Sequence, residues 1–172
     1  FGAVKEQASG LYAQELAKRG FVSLAFDPSF CGESGGEVRN TASPEIFTED
    51  YSAAVDYVGL LEFVDRERIG AIGICGLSGM AVTAAGTDTR IKAVATFSMY
   101  DMSRDMSRGH LDYYSEEQRQ KIKEYFSEQR WKDAETGTFA PGPHEISFNA
   151  NNEPITATME VPEELTEDSD PV

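Results

Sequence analysis

One thiol stands where the chain is expected to reverse direction sharply. The apolar run Ile69 to Ile74 leads into Cys75, and Gly76 follows at once. Helix-type sequence then runs from Met80 to Gly86. This order predicts a strand, a tight turn and a helix. A cysteine at such a turn could act as a nucleophile, and the backbone N–H of Gly76 could stabilise an oxyanion.

Other interpretations of the segment around Cys75 remain open. Cys75 could be a small buried apolar residue at the end of a strand. Ser78 is a second candidate nucleophile, although it lies one helical turn further on, where its side chain would not project from the turn. The other cysteine, Cys31, is interpreted as an inert loop thiol. A thiol reacts as its thiolate, which a neighbouring His and a helix N-terminus both favour.

A glycine-rich loop precedes the Cys75 segment by about forty residues. It runs from Asp27 to Gly36 and follows the apolar run Phe21 to Phe26. We expect Asp27 and Ser34 to cap backbone N–H groups of this loop, and the glycines permit tight turns. A generic turn-rich loop is the alternative interpretation of this segment.

Helix and strand patterns alternate through residues 1 to 100. The predicted strands are Phe21–Phe26, Ile69–Ile74 and Ile91–Phe97. Helices are predicted from Ala8 to Lys18 and from Thr48 or Glu49 to Leu61. Such alternation predicts an α/β fold with three adjacent parallel strands whose carboxyl ends share one edge. Exposed sheet edges lead us to expect poor solubility or a homodimer.

Residues 101 to 172 have a different character and are predicted to form a lid or insertion. A polar helix is predicted from Ser115 to Ala134, with a break near Trp131, and the turn-rich Gly137–Pro143 follows it. A hairpin is predicted around residues 145 to 152, before an acidic end at Glu160–Asp170. Several aromatic residues could line an acyl pocket or form the core of the lid: Tyr113, Tyr114, Tyr125, Phe126 and Trp131.

Composition excludes several classes of partner. The chain has 172 residues and a formal net charge of -15, which opposes binding to nucleic acid or to an anionic membrane surface. Two cysteines do not make a disulfide scaffold, so a reducing, cytoplasmic location is expected. No run of residues is apolar enough to span a bilayer. No spacing of His and Cys predicts a metal site, and no phosphate loop predicts a nucleotide cofactor.

Several segments together resemble one family. They are Gly2-Ala3-Val4-Lys5-Glu6-Gln7, Leu24-Ala25-Phe26-Asp27 with Gly32-Glu33-Ser34-Gly35-Gly36, Asp56-Tyr57, Val64 to Gly70, Gly73-Ile74-Cys75-Gly76 and Ile91-Lys92-Ala93-Val94. The chain resembles α/β-hydrolases of the dienelactone-hydrolase-like superfamily, and especially an uncharacterised bacterial group related to polyketide transesterases. The likeness is strong over residues 1 to 100. It implies a partial three-layer α/β-hydrolase sheet.

The resemblance also implies roles for individual residues. Cys75 would be the nucleophile of an ester or thioester hydrolase that works through an acyl-enzyme on a small-molecule substrate. Gly76 would supply one oxyanion N–H, and Phe1 or Gly2 the other. Asp101 is a fallback acid, with a helix cap as the alternative. Leu77 departs from the small or aromatic residue expected at its position.

The order of a hydrolase triad leaves part of the site unassigned. The acid and the His follow the nucleophile in the chain, with the His on a loop after the final strand. Neither His110 nor His144 has that context, so each is interpreted as a surface or loop residue. The chain is therefore expected to be an internal fragment that is inactive alone. The alternative is a non-catalytic relative that acts in association.

Overall fold

Helices and strands alternate in the first of two packed units. The computed structural model describes residues 3–140, 142 and 146–155. The two units divide between Met102 and Ser103. The first contains helices α1 to α3 and strands β1 and β2, in the order α1 Ala8–Ala17, α2 Pro44–Gly59, β1 Gly70–Ile74, α3 Ser78–Thr87 and β2 Ala93–Phe97.

Strands β1 and β2 form a parallel pair joined through α3. Their register runs from Gly70 opposite Ala93 to Ile74 opposite Phe97. The predicted strand–helix–strand unit is confirmed here, with each strand starting one or two residues later than expected. Because the strands are parallel, both end at one edge of the sheet, and Cys75 follows directly at that edge.

The predicted strand at Phe21–Phe26 is wrong for the described residues. No described strand pairs with this segment, so the sheet there has two strands instead of three. A strand exists through hydrogen bonds to a neighbouring strand, and an apolar run alone cannot supply them. Phe21 and Val22 are exposed, at 61% and 53%.

The core of the first unit lies between α2, α3 and the residues that precede each strand. Phe47, Tyr51 and Val55 recur at helical spacing on the buried side of α2. They pack with Met80, Ala81 and Ala84 of α3 and with Ile69 and Ile91. This packing fixes α2 and α3 against one another beside β1.

Helix α2 begins earlier than the sequence pattern predicted. It starts at Pro44 instead of Thr48 or Glu49, and the Ser43 hydroxyl accepts a hydrogen bond from the Ile46 N–H at 3.4 Å. Serine at the N-cap with proline at the first helical position is a favoured start. The apolar periodicity begins only later, which explains the misplaced boundary.

The second unit is dominated by a long polar helix. Helix α4, Met102–Arg108, spans the division, and α5 runs over Glu116–Thr136. A capping box of Ser115 and Gln118 opens α5, and Gly137 at φ 70° ends it. The predicted helix is confirmed. The predicted break near Trp131 is wrong, because the helix continues past Trp131 to Thr136 and the Trp131 side chain is exposed.

A short hairpin follows α5. Strands β3, Ser147–Phe148, and β4, Pro154–Ile155, pair antiparallel. The predicted hairpin is therefore confirmed, although its second strand lies beyond the predicted end at residue 152. The acidic end at Glu160–Asp170 lies outside the described residues, as does part of the Gly137–Pro143 linker. Within the described part of the chain, no helix combines the length and the apolar character that a membrane crossing needs.

Gly73 sets the distance between β1 and α3. A Cβ built there would lie 2.5 Å from the Cα of Ser78 and 2.9 Å from the Cβ of Ala81. Neither neighbour is the end of a flexible side chain, so the strand and the helix would have to separate. Glycine at this position therefore permits the tight connection between β1 and α3.

We predict that Gly73→Ala lowers the free energy of unfolding by about 1–3 kcal/mol through overpacking. Gly86→Ala is the matched control, because nothing lies within 4 Å of a Cβ built at that exposed position of α3. Alanine there should be neutral or stabilising by up to about 1 kcal/mol. Urea unfolding followed by circular dichroism measures both, and equal effects would contradict the packing argument.

Candidate active site

Cys75 sits at a strained position directly after β1. It is the first residue of a 3₁₀ turn, Cys75–Leu77, that leads into α3. Its φ is 57°, in the left-handed region, and the residue is exposed. This conformation costs a non-glycine residue about 1–2 kcal/mol. Strain of this kind persists where surrounding contacts impose it, and it clusters at functional sites.

Tyr51 of α2 links the two sides of this turn. Its hydroxyl lies 3.2 Å from the carbonyl oxygen of Ile72 and 3.4 Å from that of Leu77, as donor to both. The ring of Phe26 meets the Tyr51 ring edge-on at 5.6 Å. Burial raises the pKa of Tyr51 to about 12, so the hydroxyl keeps its proton at neutral pH. The Cys75 turn is thus hydrogen-bonded to α2 through Tyr51.

Ser78 is placed inside the protein and not at its surface. It is fully buried, and its hydroxyl donates to the carbonyl of Phe97 at 3.4 Å. This geometry disfavours Ser78 as the alternative nucleophile, because a substrate could not reach its oxygen. Its hydrogen bond joins the start of α3 to the end of β2.

Asp27 organises the glycine-rich loop. Its carboxylate is almost completely buried, and it accepts hydrogen bonds from the N–H groups of Lys5 at 2.7 Å and Glu33 at 3.0 Å. The Lys5 ammonium lies 3.2 Å away. Burial alone would raise the pKa of Asp27, but these hydrogen bonds and the ammonium outweigh burial and lower it.

The predicted capping of this loop is confirmed for one residue and wrong for the other. Asp27 does accept the Glu33 N–H, as expected. Ser34 instead donates its hydroxyl to the carbonyl of Asp27 at 2.7 Å. A serine hydroxyl can donate as well as accept, and the loop presents it with a carbonyl and not an N–H.

A second carboxylate joins the same loop to α2. Asp50 accepts the N–H of Ser29 at 2.8 Å and its hydroxyl at 2.7 Å. Asp50 and Tyr51 are consecutive in α2, so one helix binds both the loop and the Cys75 turn. Lys5, Asp50 and Tyr51 support the site but were not predicted from the sequence. No local pattern marks them, because each acts on a partner more than twenty residues away.

The remaining predicted site residues are placed as follows. Gly76 is buried beside Cys75 in the 3₁₀ turn. Asp101 is exposed and immediately precedes α4. Gly2 and Phe1 lie outside the described residues, as does His144. Leu77 is half-buried against the core of the first unit.

His110 belongs to the second unit and is 70% exposed. Its Nδ1 lies 3.6 Å from Oδ1 of Asp105, too long for a hydrogen bond. Across residues 3–140, 142 and 146–155, no group of three or more His, Cys, Asp or Glu side chains is placed to hold a metal ion.

Known proteins resemble this chain in sequence over part of their length. The uncharacterized protein PA2218 of Pseudomonas aeruginosa is 63% identical over 143 residues, which cover 83% of this chain and 38% of that protein. The thiohydrolase aneE of Aspergillus aculeatus is 36% identical over 55% of this chain and 30% of its own length. The acyltransferase drtE of Aspergillus calidoustus is 32% identical over 57% and 32%. The chain thus spans well under half of each relative.

Solved structures resemble the chain in fold. The crystal structure of PA2218 superposes with a TM-score of 0.81 and covers 83% of this chain and 44% of that one. The α/β hydrolase GrgF from Penicillium superposes at 0.67 with 23% identity, over 91% of this chain and 50% of that one. No family model matches the chain.

The described elements and the solved structures agree on the fold. The parallel β1–α3–β2 unit and the structural likeness to GrgF show part of the fold of an α/β hydrolase. The partial α/β fold expected from the sequence is therefore supported.

We predict that iodoacetamide alkylates Cys75 faster than Cys31. Cys75 is exposed, whereas Cys31 is half-buried, and burial raises the pKa of the Cys31 thiol despite the nearby positive charge of Arg39. A raised pKa leaves less of the reactive thiolate. Peptide mapping of the native protein after short exposures measures both rates. Earlier labelling of Cys31 would contradict the assignment.

We predict that Asp27 makes stability depend on pH in the acidic range. Its pKa is lowered in the folded state, so its carboxylate contributes stability above its unfolded pKa of about 3.9. That contribution is lost as pH falls through the lower folded value. Near pH 6, urea unfolding should give the unsubstituted chain a larger free energy of unfolding than Asp27→Asn. This difference should shrink below about pH 4. A difference in free energy of unfolding that does not change with pH would contradict this role for the Asp27 charge.

Proposed function

We propose that this chain supplies the nucleophile and part of the oxyanion hole of an α/β-hydrolase that cleaves thioesters or esters. The observation that supports this most is the exposed Cys75, held at φ 57° between a parallel strand and a helix. This geometry supports a nucleophile elbow at Cys75, a turn that lifts the reactive atom above the carboxyl edge of the sheet. The complete sheet would be covered by helices on both faces.

The proposed reaction has two steps. The Cys75 thiolate attacks the substrate carbonyl carbon, and a C–S bond forms as negative charge moves to the oxygen. The N–H of Gly76 and a second N–H at Gly2 stabilise that oxyanion. The thiol or alcohol leaves with a proton, and water then attacks the Cys75 acyl thioester, which releases the carboxylic acid and the free thiol.

A thioester is the favoured substrate class. Attack of a thiolate on a thioester exchanges one C–S bond for another, so the acyl-enzyme forms at little cost in bond energy. The relatives named thiohydrolase support the same class. An ester or dienelactone substrate would ask Cys75 to expel a poorer oxygen leaving group.

The base and the acid complete the proposal. By resemblance, the base is a His on a late loop, and Asp101 is the fallback acid in this chain. Residues 101 to 172 would form the lid or insertion of that hydrolase. Within the second unit by itself, an open groove of about 660 Å³ lies along α5, and Tyr125, Phe126 and Phe139 line part of it.

We predict that Cys75→Ala abolishes turnover of butyryl thioesters and p-nitrophenyl butyrate in the protein as its gene encodes it, by about 10³-fold or more. Cys31→Ala is the matched control for loss of a thiol and should retain activity. His110→Ala should also leave the rate unchanged, because that side chain is solvent-exposed.

Three other outcomes would change the assignment. Full turnover in Cys75→Ala would exclude Cys75 as the nucleophile, whereas no turnover by the unsubstituted protein would favour the alternative, a non-catalytic relative that acts in association. Loss of turnover in His110→Ala would instead make His110 the base, with Asp105 as its carboxylate partner.

A further inference from the structure

We propose that Tyr51 is a positioning residue for the reaction at Cys75: its hydroxyl closes the turn from both sides and so sets the Gly76 N–H against the thiol. This inference rests on the proposed function of Cys75. The contacts that carry it lie within the first unit, on either side of Cys75 in the chain. Tyr51 is buried and would not touch the substrate.

The Tyr51 hydroxyl bridges two carbonyls that flank the turn. It donates to the carbonyl oxygen of Ile72 at 3.2 Å and to that of Leu77 at 3.4 Å. Both distances exceed the usual O–H···O separation of about 2.8 Å, as expected when two acceptors share one proton. Cys75 and Gly76 lie in the chain between these two carbonyls. One side chain of α2 therefore holds both ends of the segment that carries the nucleophile and its oxyanion donor.

The backbone of this turn presents an N–H group beside the thiol. The 3₁₀ turn Cys75–Leu77 passes directly into α3, and the first N–H groups of a helical segment have no carbonyl partner within it. Gly76 is buried next to the exposed Cys75. The direction of its N–H depends on the backbone angles of Cys75, whose φ of 57° persists only where contacts impose it. The orientation of this oxyanion donor therefore depends on what holds the turn.

The position of the Tyr51 ring is itself fixed by packing. Tyr51 is only 8% exposed and lies with Phe47 and Val55 on the buried side of α2. The ring of Phe26 meets it edge-on at 5.6 Å. Burial raises the pKa of Tyr51 to about 12, so its hydroxyl remains a donor throughout the neutral range. A side chain locked in this way can hold the turn in one geometry.

The hydroxyl, and not the ring, makes the link to the turn. A phenylalanine at position 51 would keep the packing but would leave both carbonyls without this donor. A displacement of about 1 Å in a reacting group can cost about a hundredfold in rate. Because the rest of the core still holds the turn, the loss of one long, shared hydrogen bond should displace the Gly76 N–H by less. We therefore expect a loss of about tenfold.

The test separates the oxyanion donor from the thiol. A trifluoromethyl ketone with a propyl chain forms a hemithioketal with the Cys75 thiolate: the C–S bond forms, and the carbonyl π electrons become an oxyanion like that of the reaction. Alkylation by iodoacetamide forms a C–S bond as iodide leaves, and it creates no oxyanion. The pair of reagents therefore measures oxyanion stabilisation and thiol reactivity independently.

The variant Tyr51→Phe is measured in the protein as its gene encodes it. It should lower kcat for a butyryl thioester by about tenfold and raise the inhibition constant of the ketone by about the same factor, because both depend on the oxyanion donor. KM and the alkylation rate of Cys75 should change less than about threefold, since neither requires that donor.

Two control variants lie on the same helix. Tyr57→Phe also removes a phenol hydroxyl, but Tyr57 is 59% exposed, so this variant should leave every rate unchanged. Val55→Ala removes buried carbon atoms one turn beyond Tyr51, and neither side chain has a polar atom that could bond to the turn. It should lower the free energy of unfolding but leave kcat and ketone binding within about threefold.

The outcomes are distinct. Normal kcat and normal ketone binding in Tyr51→Phe would overturn the proposal. A comparable loss of kcat in Val55→Ala would also overturn it, because the effect would then follow stability and not the hydroxyl. If Tyr51→Phe unfolds during the assay, all variants are measured in sucrose, which favours the folded state, and the same criteria apply. Full turnover in Cys75→Ala would instead overturn the proposed function itself, whatever the Tyr51 variants show.

Discussion

The left-handed backbone at Cys75 is the constraint on which the first unit depends. A non-glycine residue adopts φ 57° only where its neighbours impose that conformation. On the strand side, Gly73 permits the tight connection, since β1 can approach α3 only without a Cβ at this position. On the helix side, the buried Ser78 hydroxyl donates to the Phe97 carbonyl and so joins α3 to β2. The exposed Cys75 lies within this tight connection.

Helix α2 connects the Cys75 turn to the glycine-rich loop and the core of the first unit. Phe47, Tyr51 and Val55 anchor it in the core with apolar side chains. The Tyr51 hydroxyl also donates to the carbonyls that flank the Cys75 turn, and the Asp50 carboxylate accepts hydrogen bonds from the glycine-rich loop. A rigid helix whose consecutive residues bind different partners sets the spacing between the glycine-rich loop and the Cys75 turn.

Charge plays a local and not a global part in this arrangement. The net charge of -15 keeps the surface acidic, yet the buried carboxylate of Asp27 depends on one lysine. Lys5 is shared among Asp27, Glu33 and Glu6, so a single cation satisfies three acidic groups. A buried carboxylate without such a partner would lower the stability of the fold. Removing either member of the pair leaves the other charge buried and uncompensated.

The sequence by itself determined the parts that depend on local pattern. Apolar runs flanking small residues predicted β1, the Cys75 turn, α3 and β2, because strand and helix periodicity are properties of neighbouring residues. The polar helical pattern from Ser115 to Ala134 likewise predicted α5, which the structure places at Glu116–Thr136. The apolar pattern also predicted a strand at Phe21–Phe26, which is wrong because no described strand supplies hydrogen bonds to that segment. It also misplaced the start of α2, because Ser43 and Pro44 precede the apolar stripe.

Only the tertiary structure decided which polar residues support the site. Lys5, Asp27, Asp50 and Tyr51 are scattered over the chain, and each acts on a group more than twenty residues away. Contacts of that range leave no periodic trace in the sequence. They exist because the packing of α2 against α3 and β1 brings the loops together, and that packing depends on the shape of the whole core.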